Sequence, residues 1–379
     1  MTADVVSLVR ALIEINSVNP HIDPRANGEV DIAAFCSEWL ARRGFTVERL
    51  EAHPGRPSVV AILRGTGGGQ SLMLNGHLDT VGVSTYRGDA FAARLEDDTV
   101  FGRGAFDMKG GIAAILVAAD RASTEPLRGD LIVALVADEE FGSLGTSEVL
   151  ARFGADAAIV AEPSELELTL AHRGFAWFEA EFTGVAAHGS MPEQGVDAIA
   201  GASALLASVD ELRLRLEGMP RHPLLGHGTV RVATISGGVD AATVAPSCTL
   251  TLERRTLPGE TIDEVETELR ALVTAAADSV PGLTATLTRL VGRGAFEADP
   301  ASRIVTTVGR AFESVTGAAP GVRGEPFWTD AGLYAEAGIP CLVFGVDGGG
   351  AHADEEWVTV ASLETLTDVL ERTIREFCG

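Results

Sequence analysis

The residues best suited to chemistry begin at 72–81, LMLNGHLDTV, where an apolar run leaves the glycine-rich loop 65–69 and ends at His77 and Asp79. Side chains two apart on a strand share a face, so Asp79 can accept a proton from one imidazole nitrogen of His77 and leave the other free. A carboxylate so placed fixes the tautomer of a metal-bound histidine and strengthens it as a ligand. The same pair would also serve as a loop histidine beside a helix-capping aspartate. Further acids follow at the ends of apolar runs. Asp107 lies in GRGAFDMKGG before an apolar helix, where it would equally make a cap. That glycine cluster lacks the Gly-Lys-Ser/Thr of a phosphate loop. Residues 131–137 run straight into Asp138-Glu139-Glu140, and 157–161 into Glu162 and Pro163. A second histidine, His352, follows the flexible turn 348–351.

His77, Asp107, Glu140, Glu162 and His352 together suit two divalent metal ions bridged by one carboxylate. Nitrogen and oxygen donors without sulfur fit zinc, with cobalt or manganese as alternatives. Two such ions against three carboxylates leave one net positive charge, which would acidify a bridging water and polarise a carbonyl. Glu139 and Glu140 would splay apart on an ideal strand, so one can ligate while the other faces the water as a general base.

The elements that must position these residues alternate between strand and helix. Strands are expected at 58–63, 71–75, 131–137, 157–161 and 342–345, and helices at 29–43, 112–121, 304–315 and 362–377. Such alternation makes an α/β sheet, which places ligands at the carboxyl ends of its strands. His77, Glu139, Glu140 and Glu162 each stand at such an end. From Phe175 the texture changes to a βαββ-like insert: a strand at 175–182, a helix at 197–216, and strands at 230–236 and 249–255. The chain of 379 residues thus reads as a catalytic domain, 1–173 and 290–379, interrupted by a smaller α+β domain, 174–289.

Composition narrows the function classes. The formal charge of −25 disfavours nucleic acid and anionic membrane as partners. Residues 1–16 have amphipathic helical spacing rather than the pattern of a signal peptide, so a cytoplasmic protein is expected. The four cysteines, Cys36, Cys248, Cys341 and Cys378, are scattered and read as buried free thiols, so any metal is held by histidine and carboxylate.

Seven motifs in order, NGHLDTV, GRGAFDMKGG, DEE, AEPS, AAHGS, ERRTLPGE and GGGAHADEEW, give the chain a resemblance over nearly its whole length. It resembles the dinuclear zinc amidohydrolases and exopeptidases that include acetylornithine deacetylase, succinyl-diaminopimelate desuccinylase, aminoacylase and glutamate carboxypeptidase. The resemblance implies a zinc-exopeptidase-like domain with a mixed, mostly parallel sheet flanked by helices, and a ferredoxin-like lid that also makes a homodimer. It implies that His77, Asp107 and Glu162 hold one metal, and Asp107, Glu140 and His352 the other. Glu139 would be the general base and Asp79 the orienter of His77, with a cis peptide bond after Asp107. In the insert, His188 would reach the neighbouring subunit's site, and Arg255 would grip a substrate carboxylate. Strand parity supports Arg255, because it shares the polar face with Thr249, Thr251 and Glu253 while Arg254 does not. Read on their own, the two are a surface histidine and a solvated arginine. Where many members carry an asparagine, this chain has Ala242, so the substrate cannot be copied from a named relative. His21, His53, His172, His222 and His227 match no ligand position and read as structural or exposed.

The expected reaction is hydrolysis of the amide of an N-acyl amino acid by a metal-bridging water that Glu139 activates. One metal together with His188 would stabilise the oxyanion. A dipeptidase or glutamate-type carboxypeptidase would use the same site on a short peptide, and a non-catalytic amino-acid binder is the reading outside enzymes.

Overall fold

Apolar runs too short for helices and buried on both faces form the centre of the first sheet. In the computed structural model, which describes residues 4–379, these are Leu131–Val136, Leu72–His77, Ala157–Val160 and Cys341–Val343, adjacent in that order and parallel. His77 lies opposite Val136 and Asn75 opposite Val160, so their carboxyl ends are nearly flush. Thr46–Leu50 and Ser58–Leu63 extend one side antiparallel, and Leu168–His172 lies antiparallel to Cys341–Val343 on the other.

Helix Gly110–Ala122 is almost wholly buried and packs against Val360–Cys378, which also meets Arg303–Thr316. The expected first helix begins at Val5, where the Asp4 carboxylate accepts the Val6 and Ser7 N–H groups; the residues before Asp4 lie outside those described. No helix among the described residues is long and apolar enough to cross a membrane.

The chain divides into two compact units. The first comprises the chain up to Leu170, Ala298–Arg323 and Thr329–Gly379; the second comprises Ala171–Glu297 and Gly324–Trp328. In the second, the order βαββαβ gives a four-stranded sheet, Thr229–Gly237, Ser247–Thr256, Gly174–Thr183 and Thr284–Arg293, antiparallel throughout. This is the ferredoxin-like order. Leu205, Val209 and Leu212 of Ala198–Glu217 and Val265, Leu269 and Val273 of Ile262–Asp278 form one core with Phe178, Phe182, Leu250 and Leu252. The expected boundary at 289 falls inside Thr284–Arg293. That strand is paired residue by residue with Gly174–Thr183, so the boundary moves to 297. Segment Gly324–Trp328 joins the second unit as well; Arg173 N donates to the Glu325 carbonyl.

One glycine sets the approach of helix to sheet. A Cβ on Gly111 would lie 2.3 Å from the Ala161 carbonyl oxygen, so the first turn of Gly110–Ala122 rests directly on the strand end before Glu162. On an exposed helix, Gly→Ala stabilises by about 1 kcal/mol. Here the sign reverses: Gly111→Ala should destabilise by about 1–3 kcal/mol through overpacking, read from the midpoint of urea unfolding.

Candidate metal centre and active site

All five expected metal ligands, with Glu139 and Asp79, come together in the first unit at the carboxyl edge of its parallel strands. His77 ends its strand with a side chain 1% exposed. Its Nδ1 lies 2.9 Å from the Asp79 carbonyl oxygen, which can only accept, so Nδ1 carries a proton and Nε2 is the nitrogen turned to the cluster. Nε2 stands 3.0 Å from Asp107 Oδ1 and 3.5 Å from Glu162 Oε1. On the other side, His352 Nε2 stands 3.4 Å from Asp107 Oδ2 and 3.1 Å from Glu140 Oε2. The two oxygens of Asp107 therefore face the two histidines. The Asp107–Met108 peptide bond is cis.

Glu139 and Glu140 reach the site by a route that strand alternation does not describe. The strand ends at Val136, and Asp138 adopts left-handed backbone, φ 69°, opening a turn in which its carbonyl accepts from the Phe141, Gly142 and Ser143 amides. A donor atom of Glu139 lies within 4.8 Å of one on His77 and one on Glu162, and Glu140 stands likewise with His77 and Asp107. Both acids thus serve one cluster.

Asp79 does more than orient His77. Its carboxylate is 3.7 Å from the imidazole, farther than its own carbonyl, and instead accepts from the backbone of Glu139 at 3.1 Å and of Glu140 at 3.2 Å. Orientation of the ring by the Asp79 carboxylate is corrected to orientation by the Asp79 backbone. Behind it lies a buried network the sequence did not announce. Asn19 Nδ2 donates to Asp79 at 2.8 Å and to Asp138 at 3.0 Å, while Arg56 bonds Asp138 at 2.8 Å and both oxygens of Glu29. His21 joins through Asp138 at 3.0 Å and stacks on the exposed ring of Phe141, 4.6 Å between centroids. His21, which matched no ligand position, thus stands behind the site.

Burial and crowding shape the charges. Glu162 is pushed up to about 8, first by burial and then by Asp107 and Glu140, against the attraction of His77. Burial, then Glu162, raises Glu139 well above the carboxylate range, and burial, then Asp107, raises Glu140. Burial also raises Asp107, but hydrogen bonds from His352 and His77 outweigh it and hold that carboxyl low. His352 is raised to about 10 by its bonds to Asp107 and Glu140. One oxygen of Glu140, Oε1, is buried with no hydrogen-bond partner. An excess of crowded carboxylates, two histidines facing them and an orphaned oxygen fits divalent cations.

The other expected residues belong to the second unit. His188 is exposed in the loop after Gly174–Thr183, its Nδ1 2.7 Å from the Ser190 hydroxyl. Gly189 N donates to the Ala242 carbonyl at 2.6 Å, so the position where the asparagine is missing adjoins His188. Arg255 is partly exposed on the polar face of its strand, whereas Arg254 is buried and paired with Glu260. Arg255 is not a free cation: Nη2 donates to Glu253 at 2.8 Å, and its guanidinium lies 5.4 Å from the Phe175 ring.

Known proteins are similar to this chain in sequence and in fold. Over 99% of the chain and 95% of the relative, it is 30% identical to N-formyl-4-amino-5-aminomethyl-2-methylpyrimidine deformylase of Bacillus subtilis. Over 92% of the chain and 93% of the relative, it is 32% identical to acetylornithine deacetylase of Myxococcus xanthus. The fold matches aminopeptidase PepT of Bacillus cereus with a TM-score of 0.81 at 20% identity, over 99% of this chain and 98% of that one. Peptidase family M20/M25/M40 matches residues 73–376, and the chain belongs to that family of hydrolases.

Proposed function

We propose that the protein hydrolyses the amide bond of a small N-acyl amino acid, releasing a carboxylate and the free amine, with two divalent metal ions bound per chain. The observation that carries this reading is Asp107, whose two carboxylate oxygens face His77 and His352 on either side while Glu139 stands beside the same cluster. His77, Asp107 and Glu162 would hold one ion, and Asp107, Glu140 and His352 the other; zinc fits these donors, as do cobalt and manganese. Bound there, the ions would polarise the amide carbonyl and acidify the attacking water.

Glu139 takes the proton as the water's oxygen bonds to the carbonyl carbon, then gives it to the amine nitrogen as the C–N bond breaks. A carboxyl raised by burial suits a group that must hold that proton between the two events. His188 donates to the developing oxyanion from the neighbouring subunit of a homodimer formed through the second unit, and Arg255 binds the substrate carboxylate.

A second reading drops the carboxylate. Arg255 is already matched by Glu253, and the substrate named for the deformylase relative has no carboxyl group. An N-acyl amine without a carboxylate is then the substrate, and Arg255 is a structural cation. Turnover of acetyl-, formyl- and succinyl-amino acids beside N-formyl benzylamine and dipeptides decides. The first reading requires N-acyl amino acids to be preferred and Arg255→Gln to raise KM for them alone. A preference for dipeptides would make the enzyme a peptidase.

Metal content tests the roles. Glu139→Gln should keep both ions and lose roughly 10²–10⁴ in kcat, whereas Asp107→Ala should lose both ions by elemental analysis. Two ions retained in Asp107→Ala would remove the bridge.

The charge cluster also sets a pH dependence for the metal-free protein. Glu162, raised to about 8, binds its proton in the folded chain where the unfolded chain has released it, so its contribution to stability falls as pH rises from its ordinary value through about 8. His352, raised to about 10, contributes stability that is present at low pH and lost as pH rises towards that value. The signs agree. Chelated protein should show a Tm that falls from about pH 5 to 9, and a divalent metal should flatten the slope. A slope unchanged by metal would separate these groups from metal binding.

Subunit complementation tests the dimer. Glu139→Ala and His188→Ala chains, allowed to exchange, give mixed dimers with one intact site, so about a quarter of wild-type activity should return. Parental activity after exchange, verified by tagged co-purification, would place His188 outside the partner's site.

A further inference from the structure

The motif GGGAHADEEW supplies His352, but four residues later it also supplies a carboxylate that the cluster does not use. Glu356 is 1% exposed, and each of its oxygens accepts two hydrogen bonds. Oε1 takes the backbone N–H of Phe106 at 2.9 Å and of Asp107 at 2.8 Å. Oε2 takes Gly104 N at 2.9 Å and the Arg103 guanidinium at 2.7 Å. Three N–H groups of one loop thus converge on a single side chain. Gly104 makes this possible with φ 81°, a left-handed conformation that glycine adopts without a Cβ penalty. Arg103, also 1% exposed, sends its other nitrogen to the Ala353 carbonyl at 2.7 Å, one residue beyond His352.

The backbone closes the same connection. Gly102 N donates to the Glu356 carbonyl at 3.0 Å, and Trp357–Thr359 pairs antiparallel with Thr99–Phe101. Arg103 and Glu356 therefore bond at one end to the amide of Asp107 and at the other to the carbonyl of Ala353, the residue after His352. A buried ion pair is by itself weak grounds for stability, because apolar residues of like volume often serve as well. Here the pair does what apolar residues cannot, holding backbone groups on two separate loops in fixed register.

We propose that Glu356, with Arg103, is a positioning residue that locks the Asp107 loop to the His352 loop and so sets the affinity of the metal ion shared by Asp107, Glu140 and His352. The inference rests on the dinuclear reading above. His77 and Glu162 sit at strand ends and make no bond to this pair, so the ion they share with Asp107 depends on it less. Loosening the clamp separates the two sites, whereas general destabilisation lowers both together.

The test is a stepwise Co²⁺ titration of the chelator-stripped full-length chain, followed by visible absorption and calorimetry, with folding checked by circular dichroism. The main variant is Arg103→Met/Glu356→Gln, which removes both charges and leaves no unpaired buried ion. A second is Glu356→Asp, which keeps the charge but is too short to hold both pairs of donors. In each, one ion should bind within about threefold of wild type and the other about 10–100-fold more weakly, the usual effect of losing a group that supports a ligand. Two wild-type affinities, or equal weakening of both ions, overturn the proposal. If both variants fail to fold, Arg103→Lys, which keeps the charge and gives up the fork to Ala353, should weaken the same ion by a smaller factor, and equal weakening there overturns it. Fewer than two ions on the wild-type chain would overturn the dinuclear reading itself.

Discussion

Carboxylates cannot be gathered out of water without a matching gathering of positive charge. Asp107, Glu139, Glu140 and Glu162 are crowded together beside two imidazoles, those of His77 and His352. The raised acid groups and the orphaned oxygen of Glu140 are what such crowding produces. The rest of the first unit can be read as the means of holding that arrangement. Strand ends set flush carry His77 and Glu162, a left-handed turn brings in both glutamates, and the Asp79 carboxylate pins the backbone of that turn.

Positive charge is present, but one layer back. Arg56 is shared between Glu29 and Asp138, and Arg103 pairs with Glu356, each contact less than a tenth exposed. Arg103 acts through Glu356, which accepts the Asp107 N–H, and Arg56 acts one step further back, through Asp138 and Asn19 to the Asp79 carboxylate that holds the Glu139 and Glu140 amides. This spacing keeps the inner carboxylates available to a cation while giving the loops that carry them rigid anchors. The cost is borne by buried ionic groups whose hydrogen bonds are nearly all satisfied.

Much of this could be read from the chain, for definite reasons. Continuous apolar runs such as Leu131–Val136 announce strands buried on both faces, and an acid just beyond such a run is conspicuous. The partners of those acids are not. Asn19, Glu29, Arg56 and Asp138 lie far apart in sequence, and only tertiary folding brings them together. The alternation rule placed Glu139 and Glu140 on opposite faces because nothing local marks Asp138 as left-handed. Short, exposed strands such as Thr46–Leu50 and Arg94–Glu96 bury too few residues to leave a pattern. Helix Ile262–Asp278 had a readable signal that the sequence reading passed over: Thr261 and Glu264 form a capping box, each side chain bonded to the other's backbone. Arg255 illustrates a different limit, since strand parity gives its face but not that Glu253 already engages its charge.

The order of the strands has a consequence for how the chain reaches its fold. Ala157–Val160 must find its parallel neighbour Cys341–Val343 about 180 residues later, a closure whose entropic cost precedes any contact that rewards it. The second unit lies within that interval, and its outgoing and returning strands are bonded side by side, Phe296 opposite His172 and Glu297 opposite Ala171. Once it has folded, its two ends are a strand spacing apart, and a long diffusive search becomes a short one. The insert is then a folding clip for the sheet that carries the acid cluster: by holding its own ends together it shortens the closure that sheet requires.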